Sequence, residues 1–228
     1  MTTPTAIRND FSRIELVDTA AMEWIPSPSG GVDRKPLDRI GGEVARATSL
    51  VRYAPGSDFP SHVHAGGEEF LVVEGIFSDQ HGDYGPGTYV RNPVGTSHAP
   101  GSRDGCVILV KLWQFEDGDT APVVIDTATA DWQAVGQGIE RLQLHRYRSE
   151  KVALLRFADG GSIGLPEESG GVELYVLDGR LQVERQTLSK GGWARYPAGM
   201  AVTLSAPDAA TIYIKTGHLE GPITGPAV

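Results

Sequence analysis

A shift of 104 positions lays the second half of this chain onto the first without a gap over a long stretch. GGEEFLVVEG at 66–75 meets GGVELYVLDG at 170–179, and VILVKL at 107–112 meets TIYIKT at 211–216. Gly87, Arg91, Pro93 and Gly95 meet Gly191, Arg195, Pro197 and Gly199, and LVRYAPG at 50–56 meets LLRFADG at 154–160. Further upstream the register slips by a few residues. TAAMEW ending at Trp24 still resembles TATADW ending at Trp132, and GVDRKPL at 31–37 resembles GIERLQL at 138–144. Repetition on this scale restricts the fold to one unit built twice. Within each copy, short apolar runs are broken by turn residues every several positions, and the 228 residues include 29 glycines and 15 prolines. That pattern predicts an all-β sandwich or barrel. The polar, turn-prone EDGDT at 116–120 sets the boundary, giving an expected N-terminal domain 1–118 and C-terminal domain 119–228.

Charge and hydropathy exclude several classes of partner. The net charge is −9 and no Lys/Arg cluster stands out, which argues against nucleic acid and anionic membrane. No apolar run approaches the roughly 18 residues that a spanning helix needs. The N-terminus lacks an apolar core preceded by positive charge, so no secretory signal is expected. Cys106 is the single cysteine and excludes an internal disulfide. It adjoins an apolar run and reads as an inert strand residue, and a cytoplasmic protein is the simplest expectation.

One segment of the first copy carries chemistry. GSDFPSHVHAGGEEFLVVEG at 56–75 places His62 and His64 two apart with Glu68 four residues later, and GTYVRNPVGTSH at 87–98 adds His98. Three imidazoles and one carboxylate make a complete ligand set for a divalent transition metal. Side chains alternate along a strand, so His62 and His64 are expected on one face about 6.5–7 Å apart. Gly66-Gly67 reads as a turn, which predicts one hairpin carrying His62, His64 and Glu68, and a second hairpin delivering His98.

The spacing Gly-x5-His-x-His-x3-Glu-x6-Gly, followed by Gly-x5-Pro-x-Gly-x2-His, resembles the two motifs of the cupin superfamily. The resemblance implies two tandem cupin barrels, the double-stranded β-helix or jelly roll. Ser102 stands where many cupins have an asparagine. The GGEEFLVVEG segment and the YVRNP-x-G-x2-H block are more specifically similar to the ChrR-like cupins. These include the C-terminal domain of ChrR anti-sigma factors and the acetylacetone-cleaving dioxygenases. The resemblance spans most of 40–115 and, more faintly, 145–217. It implies ligand roles for His62, His64, Glu68 and His98, with zinc in ChrR. The acetylacetone-cleaving enzymes use a three-histidine iron site. The helical His-x3-Cys-x2-Cys domain by which ChrR holds a sigma factor has no counterpart here, so that mode of anti-sigma action is not expected.

The repeat supplies an internal control. At the same shift His62, His64, Glu68 and His98 become Pro166, Glu168, Val172 and Val202, while the turn glycines and the proline remain. The second copy keeps the scaffold and loses the chemistry. It is expected to be structural, an interface provider or a lid. The expected cofactor is one divalent transition metal: zinc, iron(II), manganese or nickel. Two functions follow from that. In one, a metal-dependent oxidoreductase of dioxygenase type acts on a small diketone or hydroxyketone-like substrate, with Glu68 as a candidate base. In the other, a closed zinc site serves a ChrR-like sensor or ligand-binding module without catalysis. The expected partners are a small-molecule substrate or ligand and a second copy of the chain, as a homo-oligomeric dimer. Arg52 and Arg91 are candidates to pair substrate oxygens, although their counterparts Arg156 and Arg195 persist in the second copy. Phe59, Phe70, Tyr89 and Trp113 are candidates to line an apolar cavity or to fill the core. His81 reads as a solvated hairpin tip, His145 as a strand residue among polar neighbours, and His218 as exposed. The segment GPITGPAV at the end reads as an extended tail.

Overall fold

Alternating apolar runs and turn glycines produce strands almost everywhere. A computed structural model describes residues 5–27 and 30–226, apart from the side chain of Glu168. Among these residues the helical pieces are two single 3-10 turns, Thr19–Ala21 and Glu167–Ser169. No helix of the described residues is long and apolar enough to cross a membrane. The all-β cupin expectation holds, with sheets that are not closed into complete barrels.

The chain divides into two units by its contacts. Unit 1 comprises residues 1–9, 23–129 and 224–228, and unit 2 comprises 10–22 and 130–223. Unit 1 is built on one antiparallel sheet. Its strands run in the order Ala6–Ile7, Val32–Gly41, Ala45–Tyr53, Cys106–Leu112, Glu68–Gly75, Thr88–Asn92 and Val123–Asp126, with Ile25–Pro26 also on Val32–Gly41. A smaller sheet joins Gly82–Tyr84, Phe77–Asp79, Gly101–Ser102 and Ser57–Asp58, and Ser97–His98 pairs with His62–Val63. The core lies between these layers. Val51, Phe70, Val72, Ile108 and Val110 of the large sheet cluster with Phe77 of the small one, and Phe59 and Tyr84 pack against them.

Unit 2 repeats the arrangement with the order Gln133–Gly136, Ile139–Tyr147, Glu150–Phe157, Ala210–Thr216, Val172–Val183, Gly192–Tyr196 and Glu15–Asp18. Irregularities are repeated as well as strands. The ladder between Cys106–Leu112 and Glu68–Gly75 shifts register at Val107/Ile108, and its counterpart in unit 2 shifts at Val176/Asp178. Gly75 and Gly179 follow at φ +70° and +77°, where a Cβ would stand 2.1 Å from the carbonyl oxygens of Gly105 and Ala209. Only glycine fits both the dihedral and the approach.

The outermost strands are exchanged relative to the sequence repeat. Val123–Asp126, early in the second copy, pairs with Thr88–Asn92 of unit 1 and sets Val123 opposite Arg91. Glu15–Asp18, early in the first copy, pairs with Gly192–Tyr196 of unit 2 and sets Glu15 opposite Arg195. The contact-defined units therefore depart from a division at 118/119 by these short segments. Residues 224–226 also belong to unit 1.

Buried charge recurs at corresponding positions of the central strands, Glu69, Arg91 and Lys111 in unit 1 and Glu173, Arg195 and Lys215 in unit 2, with different partners in each. In unit 1 the fully buried Arg91 bonds Glu69 and Asp119, Tyr89 donates its hydroxyl to Glu69 at 2.9 Å, and the guanidinium lies 4.0 Å over the Phe115 ring. In unit 2 Trp193 donates its indole N–H to Glu173 at 2.9 Å, and Arg195 lies 3.9 Å over Phe11 and donates to the Asp10 carbonyl. Lys215 pairs with Glu150 at 3.1 Å. His218, expected to be exposed, is a correction. Its side chain is 3 % exposed, with Nε2 3.0 Å from Glu173, because the chain after the last strand folds back over this network instead of leaving the surface.

Candidate metal centre

The four candidate ligands of unit 1 converge, although not by the expected hairpins. His62–Val63 is a two-residue strand whose partner is Ser97–His98, which puts His62 directly opposite His98. Glu68–Gly75 pairs instead with Cys106–Leu112 and Thr88–Asn92. The Gly66-Gly67 turn thus carries the chain from a short bridge to the main sheet rather than closing a hairpin. His64 lies past the end of its strand. It is fixed by its own N–H to the Thr96 carbonyl at 2.8 Å and by its carbonyl, which accepts from Gly95 at 2.9 Å. The imidazole centroids of His62, His64 and His98 are 4.5–5.2 Å apart. One ligand atom from each of His62, His64, Glu68 and His98 lies within 4.8 Å of all the others.

The surroundings fit a cation. His64 Nδ1 is 3.0 Å from the Thr96 hydroxyl, which itself donates to the Pro93 carbonyl at 2.7 Å. The hydroxyl oxygen can then only accept, so Nδ1 of His64 carries the proton and Nε2 carries the lone pair. That Nε2 is buried without a hydrogen-bond partner among the described residues and stands 3.3 Å from Glu68 Oε2. His98 Nε2 is 3.5 Å from the same oxygen, and His98 Nδ1 is 3.4 Å from Asp79 Oδ2. The other Asp79 oxygen accepts from the His81 N–H and the Tyr84 hydroxyl. Asp79 stands where an outer carboxylate orients a metal-binding histidine, close to His98 Nδ1 but without a hydrogen bond to it among the described residues. Asn92 donates to Glu68 Oε2 at 3.3 Å.

Burial tunes these groups. It is the main cause that holds His64 and His98 down at about 4, and neighbouring imidazoles add to it. Both rings are neutral near pH 7, the form that binds metal. Glu68 is pushed up to about 7, chiefly by burial, against the Asn92 hydrogen bond and with the charge of Asp79 adding.

The sequence reading did not select Asp79, Asn92 or Thr96, yet the same shift exposes them: their counterparts are Val183, Tyr196 and Met200. The strand pairing validates this equivalence, since Asp79 faces Gly82 as Val183 faces Gln186. The outer partners are lost with the ligands, whereas Glu69, Arg91 and Lys111 persist as Glu173, Arg195 and Lys215. Asp79→Asn should weaken divalent-metal binding ~10–100-fold with the fold intact, as read by competition with a chromophoric chelator. Affinity within twofold of wild type would remove Asp79 from the site.

A cavity of about 870 Å³ opens onto His62, His64 and Glu68. Phe59 and Trp113 line it, as expected for two of the four aromatic candidates. Phe70 and Tyr89 are buried in the body of the fold instead, at 1 % and 0 % exposure. Trp113 takes φ +58°, where unit 2 has Gly217 at φ +77°. A left-handed conformation costs a bulky residue about 1 kcal/mol or more. The indole also fills the space beside Gly66, where any Cβ would meet it at 2.0 Å. Tyr53, replaced by Phe157 in unit 2, lines the same cavity. Burial first, then the charge of Glu68, raises its hydroxyl well above the usual range and keeps it a donor.

Neither proposed substrate arginine reaches the cavity. Arg91 is locked in the buried network, and Arg52 pairs with Asp33 at 2.6 Å and lies 4.5 Å over Trp24. That arrangement recurs as Arg156 with Glu140 and Trp132, which marks it as scaffold. Ser102 is buried and donates to the Ile76 carbonyl at 2.6 Å, a structural role. Cys106 is a buried free thiol in a core strand. His81 is exposed at a hairpin tip, and His145 is a largely buried strand residue. The side chain of Glu168 lies outside the described residues.

The family model described as ChrR Cupin-like domain matches residues 12–116 and again 120–220. No curated protein matches the sequence at a significant level. Among solved structures, a candidate dioxygenase from Nostoc punctiforme aligns with TM-score 0.74 at 15 % identity, over 95 % of this chain and 87 % of its own. A candidate glyoxylate-induced protein from Pseudomonas aeruginosa gives 0.72 at 16 %, over 97 % and 94 %. A bacterial pirin from Escherichia coli in complex with nickel(II) gives 0.66 at 14 %, over 90 % and 98 %. At these identities the structures speak for the fold, and the two matches that together span most of the sequence speak for the family. The chain belongs to the ChrR cupin-like domain family and carries that domain twice.

Proposed function

We propose that unit 1 is the mononuclear metal site of an oxidoreductase that cleaves a small diketone or hydroxyketone-like substrate with dioxygen. The observation that carries this reading is the gathering of His62, His64, Glu68 and His98 beside a cavity of about 870 Å³. A site serving only the fold needs no such space. The nickel(II)-bound pirin of similar fold is consistent with a first-row divalent metal here. Zinc, iron(II), manganese and nickel all suit three imidazoles and a carboxylate.

A bound redox metal would supply a Lewis acid for the substrate oxygens and the electrons that engage dioxygen. The protein groups supply the rest. Glu68, when not coordinated to the metal, is placed to take the acidic proton of a carbon flanked by carbonyls, with Asn92 donating to its Oε2. Thr96 holds His64 in its ligating tautomer, and Asp79 places a carboxylate beside Nδ1 of His98. Phe59 and Trp113 exclude water from one wall. The test is oxygen consumption by iron(II)-loaded protein over a panel of small diketones and hydroxyketones. Fully loaded protein that turns over none of them refutes the enzyme reading. The alternative, a closed zinc site in a sensor, then stands if the bound zinc has no exchangeable water. A dimer is part of the proposal, and light scattering reads it directly.

The pH dependence of loading follows from the same groups. Below about pH 7 Glu68 holds a proton that the metal must displace. Apparent affinity should therefore fall ~tenfold per pH unit from pH 7 downward. It should fall more steeply near pH 4, where His64 and His98 also protonate, and these three groups predict no further gain above pH 7. Affinity that is flat between pH 5 and 7 would contradict the burial of Glu68.

A further inference from the structure

Among the described residues Arg34 is the one arginine that lines the cavity of unit 1, whose lining also includes the acidic Glu43 and Asp58. It sits on Val32–Gly41 directly opposite Val51, and Val32 opposite Tyr53 is the next cavity-facing pair. Val32 and Val51 belong to the apolar core cluster, and Tyr53 packs against it. Arg34 thus brings a permanent positive charge to an apolar wall. No hydrogen bond or ion pair to its side chain occurs among the described residues. Arg34 is half-buried, so its guanidinium is open to a ligand that enters the cavity.

The metal end of the same cavity also carries positive charge when loaded, set against Glu43 and Asp58 elsewhere on the lining. Three neutral imidazoles and one carboxylate around a divalent cation leave a net charge of about +1. Tyr53 lines the same cavity and adds a hydroxyl to it. Phe59 and the strained Trp113 give the cavity flat apolar walls.

We infer that the ligand of this cavity is a small oxo-carboxylate with an apolar or aromatic body, its carboxylate on the Arg34 guanidinium and its body between Phe59 and Trp113. The inference names the substrate class for the proposed oxidoreductase and rests on that reading for the metal end only. The planar fork of arginine matches a carboxylate in two parallel hydrogen bonds. The duplication is consistent with this division of labour. Arg141 occupies the register of Arg34, opposite Leu155, so the arginine position is shared. Its surroundings are not: Phe59, Tyr53 and Trp113 become Ile163, Phe157 and Gly217. Recognition in unit 1 is built by adding aromatic walls, a hydroxyl and metal ligands around a pre-existing cation.

The test measures binding of phenylpyruvate, and of 1-phenylbutane-2,3-dione, a neutral ketone that keeps the 2-oxo group, by titration calorimetry. The protein is used metal-free and loaded with zinc. Wild type should prefer the anion in both forms. Arg34→Met should weaken phenylpyruvate about tenfold or more and leave the neutral ketone unchanged, with metal content equal to wild type. Arg34→Lys, which keeps the charge and loses the fork, should fall between; it also serves if the methionine variant fails to fold. Trp113→Ala should weaken both compounds. Equal binding of phenylpyruvate to wild type and both Arg34 variants, or no preference for the anion in wild type, overturns the inference. If wild type holds no metal but the metal-free protein still shows the Arg34-dependent preference, the metal reading fails and the anion site stands.

Discussion

Alanine at His64 should abolish metal binding, from about one equivalent per chain to near zero, while leaving the metal-free protein folded. His64 is the most constrained of the four candidates. It is 5 % exposed, its backbone is tied to Thr96 and Gly95, and its Nδ1 contacts Thr96. Its unpartnered Nε2 faces Glu68. Removing it leaves two imidazoles and a carboxylate, and one of those imidazoles, His62, is exposed. A metal that binds only the folded chain stabilises it by about 2.7 kcal/mol at a hundredfold excess over Kd. For a unit of about a hundred residues that corresponds to a Tm rise of roughly 10 °C or more. Wild type should show this rise on adding zinc or nickel, and His64→Ala should not. His81→Ala is the matched control, an exposed histidine at a hairpin tip whose loss should change neither reading. A His64→Ala protein that keeps both stoichiometry and thermal shift would locate the metal elsewhere.

The second large effect concerns the scaffold. Arg91→Ala should destabilise unit 1 by ~3–5 kcal/mol, because it strands two buried carboxylates, Glu69 and Asp119, without their shared cation. The side chains of all three are at most 2 % exposed. Arg52→Ala offers the contrast. Its ion pair with Asp33 has side chains 45 % and 32 % exposed, and a solvent-screened pair of this kind contributes ~0–1 kcal/mol. Urea denaturation of both variants reads the difference. Similar midpoints for the two would mean that the buried network does not hold the strands together. The same two arginines look equivalent in the sequence, where each is retained in the second copy. Burial alone separates them.

Comparing the copies separated ligand from scaffold without any other sequence, because duplication preserves what the fold requires and releases what it does not. His62, His64, Glu68 and His98 were legible for that reason, and their convergence follows from cupin spacing. Asp79, Asn92 and Thr96 were legible in principle by the same comparison. They escaped notice because a lone aspartate in a polar hairpin carries no motif, and its importance lies in reaching the far nitrogen of His98. The hairpins were misread because a glycine pair signals a turn without naming the strands on either side. Here the turn links a two-residue bridge to a central strand. His218 was misread because polarity near a terminus suggests solvent, whereas Glu173 provides a buried partner.

The sequence by itself determined the two-fold repeat, the all-β class, the four candidate ligands and their restriction to one copy. All of these are properties of residue type and spacing along the chain. Only the tertiary structure decided which strands pair, that the outermost strands are exchanged between the copies, and which arginine faces the cavity. Arg34, Arg52 and Arg91 all lie on strands, and nothing in their local sequence says which wall of the sheet each will occupy or what will lie opposite. That is settled by register and by long-range pairing. Pairing with Val51 brings Arg34 to the cavity lining, Asp33 and Trp24 hold Arg52 at the surface, and Glu69 and Asp119 bury Arg91.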